Sequence, residues 1–325
     1  MRLATFNMES YGFDRFEPEA LEHRLEALRP KILELKADIL CLQEVNAQKI
    51  RGQRKRQFPA LDHLLKDTPY QDFYRATSER EPGLGPGNKH NLVILSRYPI
   101  SKSGCLFQHH ADPPYWRPRT AEPTYDEPQD IVFERPILMA EIDIGTPKPL
   151  HLFTVHLRAP IAAMIRGAKL PDRSWKSISA WAEGYQLSVL KQTAQALELR
   201  LAVETLFDAD EKAQIILTGD FNATGETGTL RLLRADPDDT GSPAFMSRRL
   251  FQLDRSLPQE ERQTVIHRGR GQALDHILAS ATMTDRTIAM KVFNHDLPDE
   301  VYDAEDTDYA GSFHAAMLAE FDLEV

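Results

Sequence analysis

Eight polar residues stand at the ends of apolar runs of the chain: Asn7, Glu9, Glu44, His156, Asp220, Asn222, Asp275 and His314. Singly, each is an ordinary turn or cap residue, since short polar side chains hydrogen-bond to nearby backbone at such points. As a set they could do phosphate chemistry. A hard divalent cation such as Mg2+ takes oxygen ligands, few in number, and keeps positions open for water and a phosphate. Glu44 and Glu9 could supply them. Asp220 and Asn222 lie two apart, so in an extended segment both point to one side. One can take a proton from water while the other donates a hydrogen bond that holds the water or a phosphate oxygen. A histidine backed by a carboxylate stays cationic beside a phosphate, the role open to His314 if Asp275 reaches it.

Such residues need elements that end together. Arg2 to Phe6 reads as a strand ending at Asn7 and Glu9. Pro18 suits a helix start, and Leu21, Leu25, Leu28, Ile32 and Leu35 recur at helical spacing, one apolar face disturbed near Pro30. The run ADILCLQEV closes on Glu44, as expected of a buried strand that delivers a side chain to the sheet edge. Leu92 to Leu95 is a further apolar run, and Ile137 to Ile144 with His151 to Leu157 predicts a hairpin across GTPKP. A long helical stretch follows, with Tyr185, Val189, Ala196, Leu199, Val203 and Leu206 near one face. It feeds IILTGDFN, which ends on Asp220, while ALDHILAS and AAMLAEFDL are strand-like. Strands outnumber helices, and helices separate the carboxylate-ending strands, which predicts packed sheets with helices outside. Residues 105–136, rich in proline, and residues 158–180 read as surface insertions on one domain spanning 1–325.

Composition bounds the rest. The 325 residues carry 39 Lys and Arg against 49 Asp and Glu, a net charge of −10, with 42% hydrophobic and 27% charged residues. That excludes collagen-like, disordered and disulfide-scaffold classes. Cys41 and Cys105 are the only thiols, which suits a reducing compartment, and Cys41 reads as a small core residue. The opening residues hold no long apolar segment, so neither a secretory signal, a membrane anchor nor a transmembrane start is expected, and the predicted location is cytoplasmic. The acidic total opposes indiscriminate polyanion binding. Yet residues 48–58 contain five bases and no acid, and residues 158–191, beginning with Arg158, contain six bases and two acids. Both follow candidate strand ends and read as a basic rim, which favours a compact anionic substrate over long duplex DNA. Arg158 is the substrate-binding candidate of that rim.

The segments FNMES, ILCLQEV, NLVILSRYPI, FTVHL, ILTGDFNAT, LDHILAS and SFHAAMLAEFDL resemble the endonuclease/exonuclease/phosphatase superfamily, which includes exonuclease III, deoxyribonuclease I, neutral sphingomyelinases and inositol-polyphosphate 5-phosphatases. The resemblance runs from residue 2 to 323. It implies an α+β fold, a four-layer αββα sandwich of two packed mixed sheets flanked by helices, and hydrolysis of a phosphate ester by activated water with Mg2+ or Mn2+. Carried over by motif, Glu44 is the principal metal ligand, with Asn7 in the metal site and Glu9 a second ligand. His156 contacts the scissile phosphate, Asp220 activates water, Asn222 orients it and Asp275 pairs with His314. Asn91 falls in a segment that reads GNAIL in many relatives and is placed near the phosphate.

One departure stands out. Relatives close on Ser-Asp-His, whereas here Ser312, Phe313 and His314 follow one another, so a second metal ligand is missing unless Asp306 or Asp308 replaces it. The resemblance ranks a phosphodiesterase on short or single-stranded nucleic acid ahead of a phosphomonoesterase acting on an inositol phosphate or phospholipid. A catalytically disarmed phosphate-binding scaffold ranks last, and no protein partner is inferable.

Overall fold

Most of the strands that bear the candidate residues are covered on both faces, which is why they read as near-continuous apolar runs. The computed structural model describes all residues except 306–308 and 325. In chain order the principal strands are β1 (Arg2–Tyr11), β2 (Ile39–Val45), β3 (Tyr74–Thr77), β4 (Asn91–Ser96), β5 (Ile100–Leu106) and β6 (Ile137–Ile142). They continue as β7 (Leu150–His156), β8 (Gln214–Asp220), β9 (Phe251–Gln252), β10 (Asp275–Ala279), β11 (Thr287–Phe293) and β12 (Ala316–Phe321). The helices that cover them are α1 (Pro18–Leu35), α2 (Pro59–Leu65), α3 (Ile178–Ala209) and α4 (Gly228–Arg234).

Two six-stranded mixed sheets result, ordered β11-β12-β1-β2-β4-β3 and β9-β10-β8-β7-β6-β5. Each holds one parallel pair at its centre, β1 with β2 and β7 with β8, flanked by antiparallel neighbours. Parallel strands finish at the same end, so Asn7, Glu44, His156 and Asp220 leave their sheets at one edge. Three apolar clusters fix the layers. One seats α1 and α2 on the outer face of the first sheet, one fills the space between the sheets, and one seats α3 and α4 on the second. This is the αββα sandwich.

The helix α1 buries Leu21, Leu25, Leu28, Ile32 and Leu35, with Pro18 in its first turn. It runs through Pro30 without ending, and that ring lies on the exposed side. The face of α3 differs from the spacing-based expectation. Ala196, Leu199 and Val203 are buried, but Tyr185 is exposed, and the buried face takes in Ser188, Gln192, Gln195 and Glu198. These polar groups clamp loops rather than pack: Glu198 accepts from the backbone N–H groups of His109, His110 and Ala111. The His109–His110 pair is thereby part of a backbone anchor.

Segments 105–136 and 158–180 pack on each other. Ala121, Ile131, Ile165, Ala168, Ala180 and Leu187 form a fourth apolar cluster, joined by Trp116, Tyr125 and Trp175. Glu183 of α3 accepts from Trp116 Nε1, the N–H groups of Arg119 and Thr120, and the Thr120 hydroxyl. The backbone of Gly167 lies so close to Glu122 that a Cβ there would meet its carbonyl oxygen at 2.0 Å.

Candidate active site

Simple alternation along the second sheet delivers half of the site. On β7 and β8, Leu150, Leu152 and Ile216 face the inter-sheet core, and His156 and Asp220 continue the same parity to the strand ends. Asp220 stands in register with His156 on one side and Asp275 on the other. Gly219 must be glycine: its φ is +130°, and a Cβ would meet the Val155 carbonyl at 2.2 Å. The neighbouring strand can then pair tightly beneath Asp220.

The first sheet needs a distortion. By parity Glu44 would point outward with Leu40 and Leu42, but its backbone takes φ 58°, and the β1–β2 register slips between Asn7 and Tyr11. Glu9 and Ser10 share positive φ values of 49° and 55°. The bulge turns the Glu44 carboxylate back toward the gap between the sheets, a local strain of about 1–3 kcal/mol per residue carried by the surrounding fold. One layer below, Gln43 donates to Thr154 Oγ1 at 3.0 Å and to Thr5 Oγ1 at 3.0 Å, tying the sheets together beneath the site.

The carboxylates meet at Asn7. Its Nδ2 donates to Asp220 Oδ2 at 3.1 Å and to Glu44 Oε1 at 3.4 Å, while its Oδ1 accepts from the Glu9 N–H. Asn222 adds its backbone N–H to Asp220 Oδ1 at 2.8 Å and its Nδ2 to Asp220 Oδ2 at 3.2 Å. Asp275 reaches His314, with Oδ2 2.8 Å from Nδ1, and the other ring nitrogen lies 4.0 Å from Asp220 Oδ2. His156 Nε2 lies 3.4 Å from Asp220 Oδ2 and 3.6 Å from Glu44 Oε1. Ser312 fixes this end of the chain by donating to the Asn7 carbonyl and accepting from the His314 N–H.

Charge states follow from burial and neighbours. Burial, reinforced by Asp275, raises the Asp220 pKa above the usual carboxylate range. Burial opposes charging of His314, but Asp275 and Asp220 outweigh it and raise its pKa, so this imidazole is cationic at neutral pH. His156 is pushed well below its ordinary value by burial and by the Arg135 charge, and is neutral. For Glu44 burial acts upward, yet His90, His156 and Ser10 outweigh it and hold the carboxyl well below its normal range.

Seven of the sequence-derived positions therefore converge: Asn7, Glu44, His156, Asp220, Asn222, Asp275 and His314. Three behave differently. Asn91 is spent on backbone, donating to the Val45 and Gly87 carbonyls and accepting from the Gly87 N–H, because its place beside the bulge requires those groups to be satisfied. Arg158 is held by Ser188 Oγ at 3.2 Å and Glu134 at 3.2 Å. Glu9 faces His314, Glu44 and Arg24 electrostatically, and the clustered ligand atoms around Glu44 come from His90 and His156. Part of the basic rim is paired with acids as well: Arg56 with Asp14, Lys176 with Glu122 and Lys191 with Glu134. Lys55 and Arg56 line a separate cleft of about 590 Å3 with Gly85, Pro86 and Cys105. Phe313 packs on Tyr309 with ring centroids 4.8 Å apart, and Asp306 and Asp308 lie outside the described residues.

Sequence reasoning missed His90 and Arg135. His90 Nδ1 lies 3.2 Å from Glu44 Oε2. Arg135 precedes β6 at the end where its partner β7 finishes in His156, its charge acts on both Glu44 and Asp220, and its Nη1 is buried without a hydrogen-bond partner. Pairing of the two hairpin strands was the available signal, since it puts Arg135 opposite the residue after His156.

A cation fits this edge on chemical grounds: carboxylate and imidazole ligand atoms of Glu44, His90 and His156 lie within 4.8 Å of one another, whereas the similar group Asp220, Asp275 and His314 is occupied by the proton of cationic His314. Among the described residues no helix is long and apolar enough to cross a membrane.

Comparison with known proteins agrees with the geometry. No curated protein sequence matches the chain significantly. Among solved structures it is similar to an endonuclease/exonuclease/phosphatase family protein from Leptotrichia buccalis, with 17% identity, TM-score 0.54 and coverage of 99% of this chain and 100% of the other. Truncated TDP2 from Caenorhabditis elegans gives 14% identity and TM-score 0.58, covering 98% and 96%. The 3'-5' exonuclease NExo from Neisseria meningitidis gives 16% and 0.53, covering 99% and 100%. These likenesses establish the fold, and the sequence profile of the Endonuclease/Exonuclease/phosphatase family matches residues 4–294. With both sheets ending on that family's residue types, the chain belongs to the endonuclease/exonuclease/phosphatase family.

Proposed function

We propose that this chain is a Mg2+- or Mn2+-dependent phosphodiesterase, acting on a compact anionic substrate such as a short or single-stranded nucleic acid. The observation that carries the reading is the convergence of a buried, proton-accepting Asp220 with a His314–Asp275 dyad on one side and the Glu44 carboxylate on the other, bridged by Asn7. Glu44, assisted by neighbouring ligands, would hold the metal, which supplies charge stabilisation at the phosphate oxygens. Asp220 takes the proton of the attacking water, and its raised proton affinity suits that task near neutral pH. Asn222 and Asn7 hold the Asp220 carboxylate in place. Cationic His314, fixed by Asp275, sits where negative charge develops. Arg135 offers a buried guanidinium nitrogen with no hydrogen-bond partner among the described residues. A related structure described as the 3' phosphatase NExo bound to product DNA hairpin supports a nucleic-acid end as the first substrate to examine.

The test is turnover of a model diester and a model monoester in EDTA, Mg2+ and Mn2+, with Asp220→Asn as control. Metal-dependent diester cleavage that falls about 10²–10⁴-fold in the variant is the expected result. Preference for the monoester would replace the reading with a phosphatase, and unchanged cleavage by Asp220→Asn would overturn it.

A further inference from the structure

One imidazole at the site has no part in the chemistry above. His90, just before β4, is held in the left-handed region at φ 58°, a conformation uncommon for any residue with a side chain. Its backbone N–H is anchored on Asn46 Oδ1 at 3.2 Å. The strained backbone directs Nδ1 at Glu44 Oε2, 3.2 Å away, close enough to pair with the carboxylate but off hydrogen-bonding geometry. Across the same carboxylate, His156 Nε2 stands 3.6 Å from Glu44 Oε1 and 3.4 Å from Asp220 Oδ2. The rings of His90 and His156 meet edge to face, with centroids 5.9 Å apart.

A carboxylate flanked by two imidazoles at these separations is a ligand set. Adjacent ligands on one ion, bound at about 2.0–2.2 Å, lie about 3 Å apart, close to the His90–Glu44 spacing. Imidazole nitrogen is a borderline donor that first-row transition ions accept readily, whereas Mg2+ prefers oxygen and water. We infer that His90 is a metal ligand of this chain and that, with Glu44 and His156, it makes the site select a first-row transition ion over Mg2+. The inference rests on the metal-dependent reading of the same site and specifies which ion that site takes.

The experiment is metal binding to the intact chain without substrate. Calorimetric titration with Mg2+, Mn2+ and Co2+ gives the preference, and pulsed EPR of bound Mn2+ reads nitrogen coordination directly. Wild-type protein is expected to bind Mn2+ and Co2+ at least ten-fold more tightly than Mg2+ and to show 14N modulation. His90→Gln should lower that preference at least ten-fold and weaken the modulation, with an unchanged circular dichroism spectrum; His90→Ala serves if the first variant misfolds. Wild-type Mn2+ without nitrogen coordination, or an unchanged preference in both variants, would overturn the inference and leave the phosphodiesterase reading standing. Failure to bind any of the three ions would overturn both.

Discussion

Single side chains decide the charge pattern behind the catalytic edge, and the clearest case is a second histidine–carboxylate pair. His276 and Asp254 are fully buried, with Nδ1 3.2 Å from Oδ2, and His276 Nε2 is 2.8 Å from the Ala223 carbonyl, just past Asn222. Burial disfavours both charges, but each partner outweighs it in the other, so the Asp254 pKa is lowered and the His276 pKa raised. The Asp254 contribution is complete above its unfolded pKa and lost as pH falls through the lowered folded value. That of His276 is complete below its unfolded pKa and lost as pH rises through the raised one. The pair therefore stabilises most between about pH 4 and 6.5. Asp254→Asn should cost about 3–5 kcal/mol in that window and less on either side, read as the difference in thermal midpoint from wild type across pH. His314 with Asp275 was legible because both stand at the start of strand-like runs. His90 was not, because its approach to Glu44 depends on a positive φ that no spacing rule foretells.

Elements were legible where one periodicity ruled. The α1 stripe and the buried runs of β2, β4 and β8 match the expected spans within a residue or two. The continuation of β1 to Tyr11 was not, since a strand that bulges at Glu9 and Ser10 no longer alternates. Nor was the polar face of α3, where Gln192 donates to the Arg158 and Asn222 carbonyls and so holds two catalytic-end loops at once. The tightest constraint within the six-stranded sheets is Gly219. Gly219→Ala should cost about 3 kcal/mol or more, because strain at its φ adds to a clash with the adjacent strand. Denaturant unfolding measures that cost, and hydrolysis should fall with it as Asp220 is displaced.

At the scale of the whole molecule, the long segments 105–136 and 158–180 act as one body. If the Glu183 carboxylate anchors it, Glu183→Ala should raise hydrogen exchange at residues 115–125 and 163–170 together while β7 and β8 keep their protection. Exchange confined to one segment would show that they are independent. Their prolines and aromatic residues signalled departures from the sheets, but mutual packing joins residues some 50 positions apart and leaves no local pattern. The final sheet strand has a different consequence. β12 enters between β1 and β11, and His314 lies just ahead of it, while Asn7 comes from the very first strand. During translation, a chain that has emerged only as far as β10 already owns Glu44, His156, Asp220 and Asp275 but lacks the cation that completes them. On the proposed reading, hydrolytic competence would therefore arrive only with the closing of the first sheet.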